Sequence, residues 1–198
     1  MELGAVIVAA GMSSRMGEFK ALKNILGRPI IIHMIEKFKI AGVKKIVIVT
    51  GNHARALEEA LKDVDDLQYV FNEAYETSDM FTSAKLGLSS LQGKCSRFFF
   101  TPVDAPAFLV STLNALLEVQ EGIVKPSYKG RGGHPILIDE KFISGLIEYQ
   151  GECGMKGALK TYRASIKEVE VEDEGILFNT NTQEEFEKMR LYYEKEGH

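Results

Sequence analysis

The sequence is poor in the features that mark several classes of protein. It has only two cysteines, Cys95 and Cys153, far apart and outside any CxxC pair or Cys/His cluster, which argues against a zinc site or a disulfide framework. Its net charge of −4 gives no sign of the excess of basic residues that is typical of proteins that bind nucleic acid. Its first apolar run is far shorter than the roughly 20 residues that cross a bilayer. We therefore expect a cytoplasmic protein with no nucleic-acid or membrane partner.

What the chain does have is the composition of an ordinary globular protein. Hydrophobic residues make up 45% and charged residues 26% of the 198 positions, and this length suits a domain of roughly 100–200 residues. Internal repeats, low-complexity tracts and linkers are not visible in the sequence. We therefore expect a single domain over residues 1–198.

Short apolar runs alternate with amphipathic stretches along the chain. The runs predict buried parallel strands at 5–10, 46–50, 68–71, 98–101, 123–124 and 135–138, and the stretches predict helices at 30–41, 53–62, 81–91, 110–120, 140–149, 155–163 and from about residue 183. This alternation predicts an α/β three-layer sandwich with a mostly parallel, Rossmann-like sheet and right-handed crossovers. Ligands of such sheets bind at the carboxyl ends of the strands.

A glycine-rich loop follows the first strand at residues 11–17. It contains Ser13, Ser14 and Arg15, and Lys20 follows it closely. Glycines let backbone N–H groups approach an oxyanion, while the two hydroxyls and the two cations add donors and charge. The segment predicts a binding site for a nucleoside triphosphate.

The spacing in this loop excludes two other glycine-rich motifs. A dinucleotide fingerprint requires G-x-G-x-x-G and an acidic residue at the end of the second strand, but that strand ends in Thr50-Gly51-Asn52. An ATPase-type P-loop requires four residues between its glycines and then Lys-Ser/Thr. Here five residues separate Gly11 from Gly17, and Glu18-Phe19-Lys20 follows.

A single carboxylate lies at the end of the fourth predicted strand. Asp104 stands between Pro102 and Pro106, and the prolines restrict the direction of this turn. A site that uses a nucleoside triphosphate needs a hard oxygen ligand for Mg²⁺, which makes Asp104 a candidate metal ligand. The alternative is an aspartate that only forms the turn or caps a helix.

Two amides, Asn179 and Asn181, follow a short apolar stretch, read as a strand, that ends at Phe178. Amide oxygens are acceptable neutral ligands for a hard cation, so either amide is a candidate second metal ligand. Thr182 and Glu185 have the spacing of a capping box. The alternative for the amides is therefore helix capping alone.

Polar and small residues follow the third predicted strand. Asn72 ends that strand, and Ser83 and Gly87 share one face of the next predicted helix. A serine hydroxyl both donates and accepts, so it could read the edge of a base. The alternative is that serine and glycine serve helix packing.

In their order and spacing these segments resemble the molybdenum-cofactor cytidylyl- and guanylyltransferases over nearly the whole chain. Ala9-Ala10-Gly11, followed by Ser14-Arg15-Met16-Gly17 and Lys20, is similar to the family signature, and the turn at 102–106 is similar to its metal-binding turn. Residues 132–135 resemble a segment of the cytidylyl branch, and 178–182 resemble the closing segment of the guanylyl branch. The resemblance implies a GT-A-like nucleotidyltransferase fold.

Two features favour the cytidylyl branch and hence CTP over GTP. The guanylyl branch usually carries two glycines where this chain has Ala10-Gly11, and it lacks the Met80-x-x-Ser83 pattern. The chain also departs from the family, because Asp79 stands where glycine is common and Gln183 where proline is common. The first departure leaves the fine positioning of the nucleotide open.

The resemblance implies that the phosphate of an acceptor, with molybdopterin as the first candidate, attacks the α-phosphorus of the nucleotide and releases pyrophosphate. Arg15, Lys20 and Asp104 would be catalytic, and Asp104 with Asn181 or Asn179 would hold Mg²⁺. The nucleotide would contact Ala9, Ala10, Gly11, Ser13, Ser14, Arg15, Lys20, Asn72, Ser83, Gly87 and Asp104. His134, Arg131 and Lys125 would face the acceptor.

Three questions stay open at this stage. The acceptor could instead be a sugar phosphate or another small phosphorylated alcohol, because acceptor identity resides in loops rather than in the fold. The chain could also be a regulatory domain that binds a nucleotide without turning it over. The oligomeric state is not indicated by any pattern.

Overall fold

The computed structural model describes residues 2–11 and 19–196. Within them the strands are β1 (Leu3–Val8), β2 (Asn24–Ile25), β3 (Arg28–Pro29), β4 (Lys45–Thr50), β5 (Leu67–Phe71), β6 (Arg97–Pro102), β7 (Ile123–Tyr128), β8 (Arg131–Gly132), β9 (Ile136–Asp139) and β10 (Ile166–Glu170). The α-helices are α1 (Ile30–Ile40), α2 (Ala54–Ala60), α3 (Met80–Leu91), α4 (Val110–Leu117), α5 (Ile143–Glu148), α6 (Gly154–Lys160) and α7 (Gln183–Glu196). Short 3-10 turns cover Lys20–Leu22, Glu140–Phe142, Arg163–Ser165 and Glu174–Leu177.

The main sheet is mixed but mostly parallel, with the strand order β10-β7-β9-β6-β1-β4-β5 and with β8 paired to β7. Strand β1 lies in the centre, parallel to both β4 and β6. Strands β2 and β3 form a separate small hairpin. The predicted α/β sheet is therefore confirmed.

Hydrophobic cores cover both faces of this sheet. On one face Ile7 of β1 packs in a cluster with residues of α1, α4 and α7. On the other face Val6 of β1 packs with residues of α3, α5 and α6. Successive side chains of a strand point to opposite faces, so the apolar run of β1 serves both cores. The three-layer prediction is confirmed.

Two strand predictions were partly wrong. Strand β9 is antiparallel to both β6 and β7, because the link from Tyr128 to Ile136 is shorter than the dozen or so residues of a parallel crossover. Strand β5 is parallel to β4 but forms the sheet edge. Its last residue, Phe71, is 51% exposed, so this strand is not buried as predicted.

The short apolar strand predicted to end at Phe178 is instead the 3-10 turn Glu174–Leu177. The carboxylate of Asp173 accepts a hydrogen bond from the Gly175 N–H at 2.9 Å, which starts this turn. A Cβ atom on Gly175 would lie 2.2 Å from the Ala107 carbonyl oxygen. The two backbone segments therefore approach closely at Gly175, which leaves no room for a side chain there.

None of the helices found within residues 2–11 and 19–196 has both the length and the apolar character needed to cross a bilayer.

Candidate functional site

The carboxyl ends of β1, β4, β5 and β6 meet at one edge of the sheet. Backbone bonds continue the pairing past the strand ends, from the Ala9 N–H to the Val49 carbonyl at 2.8 Å and from the Val103 N–H to the Val8 carbonyl at 3.0 Å. A cleft of about 330 Å³ opens at this edge. Its walls are Val8, Ala9, Ala10, Gly11, Phe19, Lys20, Tyr75, Glu76, Ser78, Asp79, Met80, Ser83, Pro102, Val103 and Asp104.

Many of the residues predicted to bind the nucleotide line this cleft. Ala9, Ala10 and Gly11 form the wall that continues β1, and Lys20 and Asp104 face it from neighbouring segments. The predicted residues Ser13, Ser14 and Arg15 lie outside the described residues. The structure therefore places Gly11, where the glycine-rich loop begins, and Lys20, which follows the loop, at the cleft.

Lys20 joins the N-terminal part of the site to the closing segment of the chain. Its Nζ atom donates a hydrogen bond to the Asn181 Oδ1 atom at 2.7 Å, across a sequence separation of 161 residues. The Thr180 N–H donates to the Asp104 carbonyl at 3.0 Å. These two contacts bring a cation, an amide and a carboxylate-bearing turn together. Asn179 and Asn181 are both exposed, so the contact with Lys20, and not burial, distinguishes Asn181.

The electrostatic surroundings of Asp104 combine burial with opposite charge. Burial raises the pKa of its carboxyl, while the positive charge of Lys20 lowers that pKa. The charge of Glu185 adds a smaller effect that raises it. A carboxylate that is partly removed from water in this way gains from a nearby cation.

The residues present fit a divalent cation that is held mainly by substrate and water. Within the described parts of the chain there is no group of three or more His, Cys, Asp or Glu side chains arranged for a metal. Mg²⁺ usually takes one or two carboxylates, several waters and substrate phosphates. The carboxylate of Asp104 is one such ligand, and the amide oxygen of Asn181, which here accepts from Lys20 at 2.7 Å, would be a neutral second ligand.

Asn72 holds two serine hydroxyls of the cleft wall in place and lies behind that wall. Its side chain is 2% exposed, and its Nδ2 atom donates to the Ser78 and Ser83 Oγ atoms, both at 2.9 Å. Its Oδ1 atom accepts from the Ala74 N–H at 3.0 Å. Each serine accepts in these bonds and keeps its own O–H for the cleft. Ser78 was not among the predicted site residues, since no local spacing links it to Asn72.

Asp79, where the resembled family often has glycine, caps helix α3. Its carboxylate accepts hydrogen bonds from the Thr82 N–H and the Thr82 Oγ1 atom, both at 2.8 Å, and these bonds lower the pKa of the Asp79 carboxyl. A capped helix start is an ordinary use of aspartate. The same side chain lines the cleft.

Gly87 lies on the side of α3 that faces the sheet. A Cβ atom there would lie 2.6 Å from Val6 Cγ1 and 2.7 Å from Val49 Cγ2. Such distances are far shorter than carbon contacts allow. The missing side chain is thus explained by close packing of α3 on β1 and β4, while Ser83 reaches the cleft from an earlier turn of the helix.

A second cavity of about 790 Å³ adjoins the cleft and shares Asp79, Met80 and Pro102 with it. Apolar side chains form its floor, and ammonium groups stand around it. Its walls are Asp79, Met80, Phe81, Ala84, Phe100, Pro102, Lys125, Gly132, Gly133, His134, Ile136, Cys153, Gly154, Met155, Lys156, Leu159, Lys160 and Ile166.

The predicted acceptor residues divide between this cavity and the surface. Lys125 and His134 line the cavity, whereas Arg131 lies in β8 and is exposed. Lys156 and Lys160 on α6 also line it, and the sequence analysis did not predict them. Their i,i+4 spacing, which places both on one helix face, was the signal available.

His134 is held as a neutral ring in the wall of the second cavity. Its backbone N–H donates to the Ile176 carbonyl at 3.1 Å. Burial lowers the pKa of its imidazole to about 4, against the effect of a backbone hydrogen bond with Phe100, and Lys125 lowers it further. The buried Nδ1 atom has no hydrogen-bond partner among the described residues. A neutral imidazole at pH 7 binds by hydrogen bonding rather than by charge.

The family described as MobA-like NTP transferase domain matches residues 5–169. A molybdenum cofactor cytidylyltransferase of Escherichia coli (strain K12) is 25% identical to the chain over 185 residues, which cover 93% of each protein.

Two solved structures have the same fold. A nucleotidyl transferase from Methanothermobacter thermautotroptrophicus superposes with a TM-score of 0.85 at 21% identity, covering 98% of this chain and 99% of that one. The protein Rv0371c of Mycobacterium tuberculosis H37Rv, solved in complex with manganese, superposes with a TM-score of 0.80 at 18% identity, covering 96% and 99%.

Proposed function

We propose a specific reaction for this nucleotidyltransferase, which belongs to the MobA-like NTP transferase domain family: it transfers CMP from CTP to a phosphorylated acceptor and releases pyrophosphate. The observation that carries this proposal is that Lys20 and Asp104 line one cleft, while Asn181 is hydrogen-bonded to Lys20. A second, lysine-lined cavity adjoins this cleft. A donor nucleotide and a phosphate acceptor would thus occupy neighbouring sites.

The cleft is proposed to hold the triphosphate. The Lys20 ammonium and backbone groups at residues 9–11 would contact phosphate oxygens, with Arg15 as a second cation. Asp104 and Asn181 would hold Mg²⁺, which when bound neutralises phosphate charge and polarises the phosphoryl oxygens. Positioning and charge stabilisation are enough for this chemistry, so no covalent enzyme intermediate is required.

The base is proposed to lie beside Ser78 and Ser83. Their hydroxyls are held in place by Asn72 and present O–H donors that match acceptor atoms such as the O2 and N3 atoms of cytosine. The Ala10-Gly11 pair and the Met80-x-x-Ser83 pattern support CTP over GTP. The E. coli relative, named as a cytidylyltransferase, supports the same choice.

The second cavity is proposed to hold the acceptor, with molybdopterin as the first candidate. Lys125, Lys156 and Lys160 would bind its phosphate, and the apolar floor that includes Phe81 and Phe100 would pack against a planar ring system. The neutral His134 would hydrogen-bond the acceptor. A sugar phosphate or another small phosphorylated alcohol is the alternative acceptor, and an apolar floor suits these less well.

The border between the two cavities is the proposed place of reaction. Pro102 and Met80 line both spaces, so an acceptor phosphate held by the lysines would face the α-phosphorus of a nucleotide in the cleft. The acceptor oxygen forms the new P–O bond while the bond to pyrophosphate breaks. Lys20 would offset the negative charge that develops on the leaving pyrophosphate.

Pyrophosphate release tests this function. The protein is incubated with Mg²⁺, each of the four nucleoside triphosphates, and molybdopterin or a set of sugar phosphates. We expect release with CTP and molybdopterin, and its loss in Lys20→Met but not in Lys23→Met, a neighbouring lysine outside the cleft. CTP binding without release for any acceptor would instead support a nucleotide-binding domain without turnover.

A further inference from the structure

A lysine is buried directly behind the Asp104 turn. Lys37 of α1 is only 5% exposed, and its Nζ atom donates to the Pro106 carbonyl oxygen at 3.1 Å and to the Tyr193 Oη atom at 3.0 Å. The aromatic rings of Tyr193 and Phe108 lie 4.4 Å and 5.3 Å from the same atom. These hydrogen-bond and ring partners of the ammonium are neutral.

Tyr193 makes the same carbonyl a shared acceptor. This residue of α7 is fully buried, and its hydroxyl donates to the Pro106 oxygen at 2.7 Å. The carbonyl thus accepts one hydrogen bond from α1 and one from α7. Two helices that are far apart in the sequence hold one atom of the turn.

The rest of the turn is fixed by backbone bonds on its other sides. The Val103 N–H is bound to the Val8 carbonyl, the Ala105 N–H to the Pro102 carbonyl at 3.2 Å, and the Asp104 carbonyl to the Thr180 N–H. Pro106 is two residues beyond Asp104. The backbone bonds named above do not involve the Pro106 carbonyl. The side chains of Lys37 and Tyr193 hold it instead.

Stability alone gives little reason for a lysine at this buried position. Burial lowers the pKa of Lys37 to about 7, and the charge of Asp173 opposes that shift without restoring the ordinary value. A buried charge without a direct counterion is unfavourable, and apolar replacements of similar volume are often neutral or stabilising. The unfavourable burial points to a role in directing the turn.

We propose that Lys37 and Tyr193 are positioning residues that fix the direction of the Asp104 carboxylate through the Pro106 carbonyl, and so set the affinity of the site for its divalent cation. This inference rests on the proposed role of Asp104 as a metal ligand. Neither residue touches the substrate or the cation. Their effect passes through the backbone of residues 104–106.

The test is a titration of Mn²⁺ with the folded protein and a non-hydrolysable CTP analogue, followed by electron paramagnetic resonance of the free ion. Wild type is compared with Lys37→Met, Tyr193→Phe and Asp104→Asn, and with Ile35→Val as a matched buried change on α1. We expect Lys37→Met and Tyr193→Phe each to weaken Mn²⁺ binding at least threefold. Binding of the analogue in EDTA should stay within twofold of wild type.

The outcomes separate this inference from the proposed function. If Asp104→Asn weakens Mn²⁺ binding but Lys37→Met and Tyr193→Phe bind it like wild type, the positioning role is wrong and the role of Asp104 stands. If Asp104→Asn binds Mn²⁺ like wild type, both are wrong. A lower unfolding midpoint with unchanged Mn²⁺ affinity marks a purely structural role and also overturns the inference. Should Lys37→Met fail to fold, Tyr193→Phe, which preserves the ring, decides.

Discussion

The nucleotide cleft and the second cavity are built in different ways, although they share a wall. The cleft lies where parallel strands end, and its backbone walls are short continuations of β1 and β6. The second cavity surrounds the start of the antiparallel strand β9 and takes its lysines from β7 and α6. One site follows from the geometry of a parallel sheet, while the other depends on how later elements pack against it.

Charge separates the two sites as well. The lining of the cleft contains Lys20 and the carboxylates of Asp104, Asp79 and Glu76. This mixture of charges suits a metal and a triphosphate together. Among the described residues, those that line the second cavity include Lys125, Lys156 and Lys160 but one carboxylate, that of Asp79. A mostly cationic wall suits an anion that arrives without its own metal. Loss of charge should therefore have different kinetic effects on the two sides.

The largest effect is expected from Asp104→Asn. Removing the carboxylate should lower kcat roughly a hundredfold, about 2.7 kcal/mol of barrier, because the metal loses its charged protein ligand. Steady-state pyrophosphate release measures this change, with Asp63→Asn as a control at an exposed position after α2. An Asp104→Asn enzyme with wild-type kcat would remove the basis for assigning metal chemistry to the cleft.

A large effect on stability, without one on binding, is expected from Gly87→Ala. The new methyl group would collide with Val6 and Val49, and overpacking of this kind destabilises by about 1–3 kcal/mol. Urea unfolding measures the change, and Ser89→Ala on the exposed side of α3 is the control. If CTP affinity fell while stability held, Gly87 would be a nucleotide contact, as the sequence predicts, and not a packing glycine.

An intermediate effect is expected from pH. The pKa of Lys37 is about 7 in the folded protein and about 10.5 ordinarily, so between these values the unfolded chain binds a proton that the folded chain does not. Stability contributed by this site must therefore rise with pH above about 7. The unfolding free energy of wild type minus that of Lys37→Met should rise by about 1 kcal/mol from pH 6.5 to pH 8. Urea titrations at the two pH values measure it, and a flat difference contradicts it.

The smallest effect is expected from the exposed lysines of the second cavity. The double variant Lys156→Met/Lys160→Met should raise the KM of the acceptor about threefold, roughly 0.7 kcal/mol, because exposed charges are well screened. The kcat and the CTP affinity should not change, and Lys167→Met on β10 serves as the control. A change in CTP affinity with no change in acceptor KM would reverse the assignment of the two cavities.

Local signals accounted for much of the fold. Apolar runs marked the central strands because β1, β4 and β6 are buried on both faces, where a parallel sheet requires continuous hydrophobic sequence. The predicted capping box is confirmed, since the Glu185 N–H donates to Thr182 Oγ1 at 3.1 Å and the Thr182 N–H to Glu185 Oε2 at 3.0 Å. Each of these features is decided within a few residues of the chain.

Other features had no local signal. Strand direction at β9 depends on its partners, because an apolar run of four residues reads the same in either direction. Asn72 is predicted to contact the nucleotide, and nothing local to it indicates that its amide also bonds Ser78, Ser83 and Ala74. Asn179 and Asn181 were equal candidates for the second metal ligand, and the contact with Lys20 distinguishes Asn181.

By itself the sequence determined the alternation of strands and helices, the glycine-rich loop after β1 and the carboxylate turn after β6, because spacing and side-chain chemistry specify these over short stretches. The tertiary structure alone decided which distant groups meet. Lys20 with Asn181, Lys37 with Pro106, and the lysines of α6 with Lys125 are each separated by many residues. Which of these groups come together depends on how the helices pack on the sheet. That packing is stabilised by burial of the whole hydrophobic core and not by any one segment.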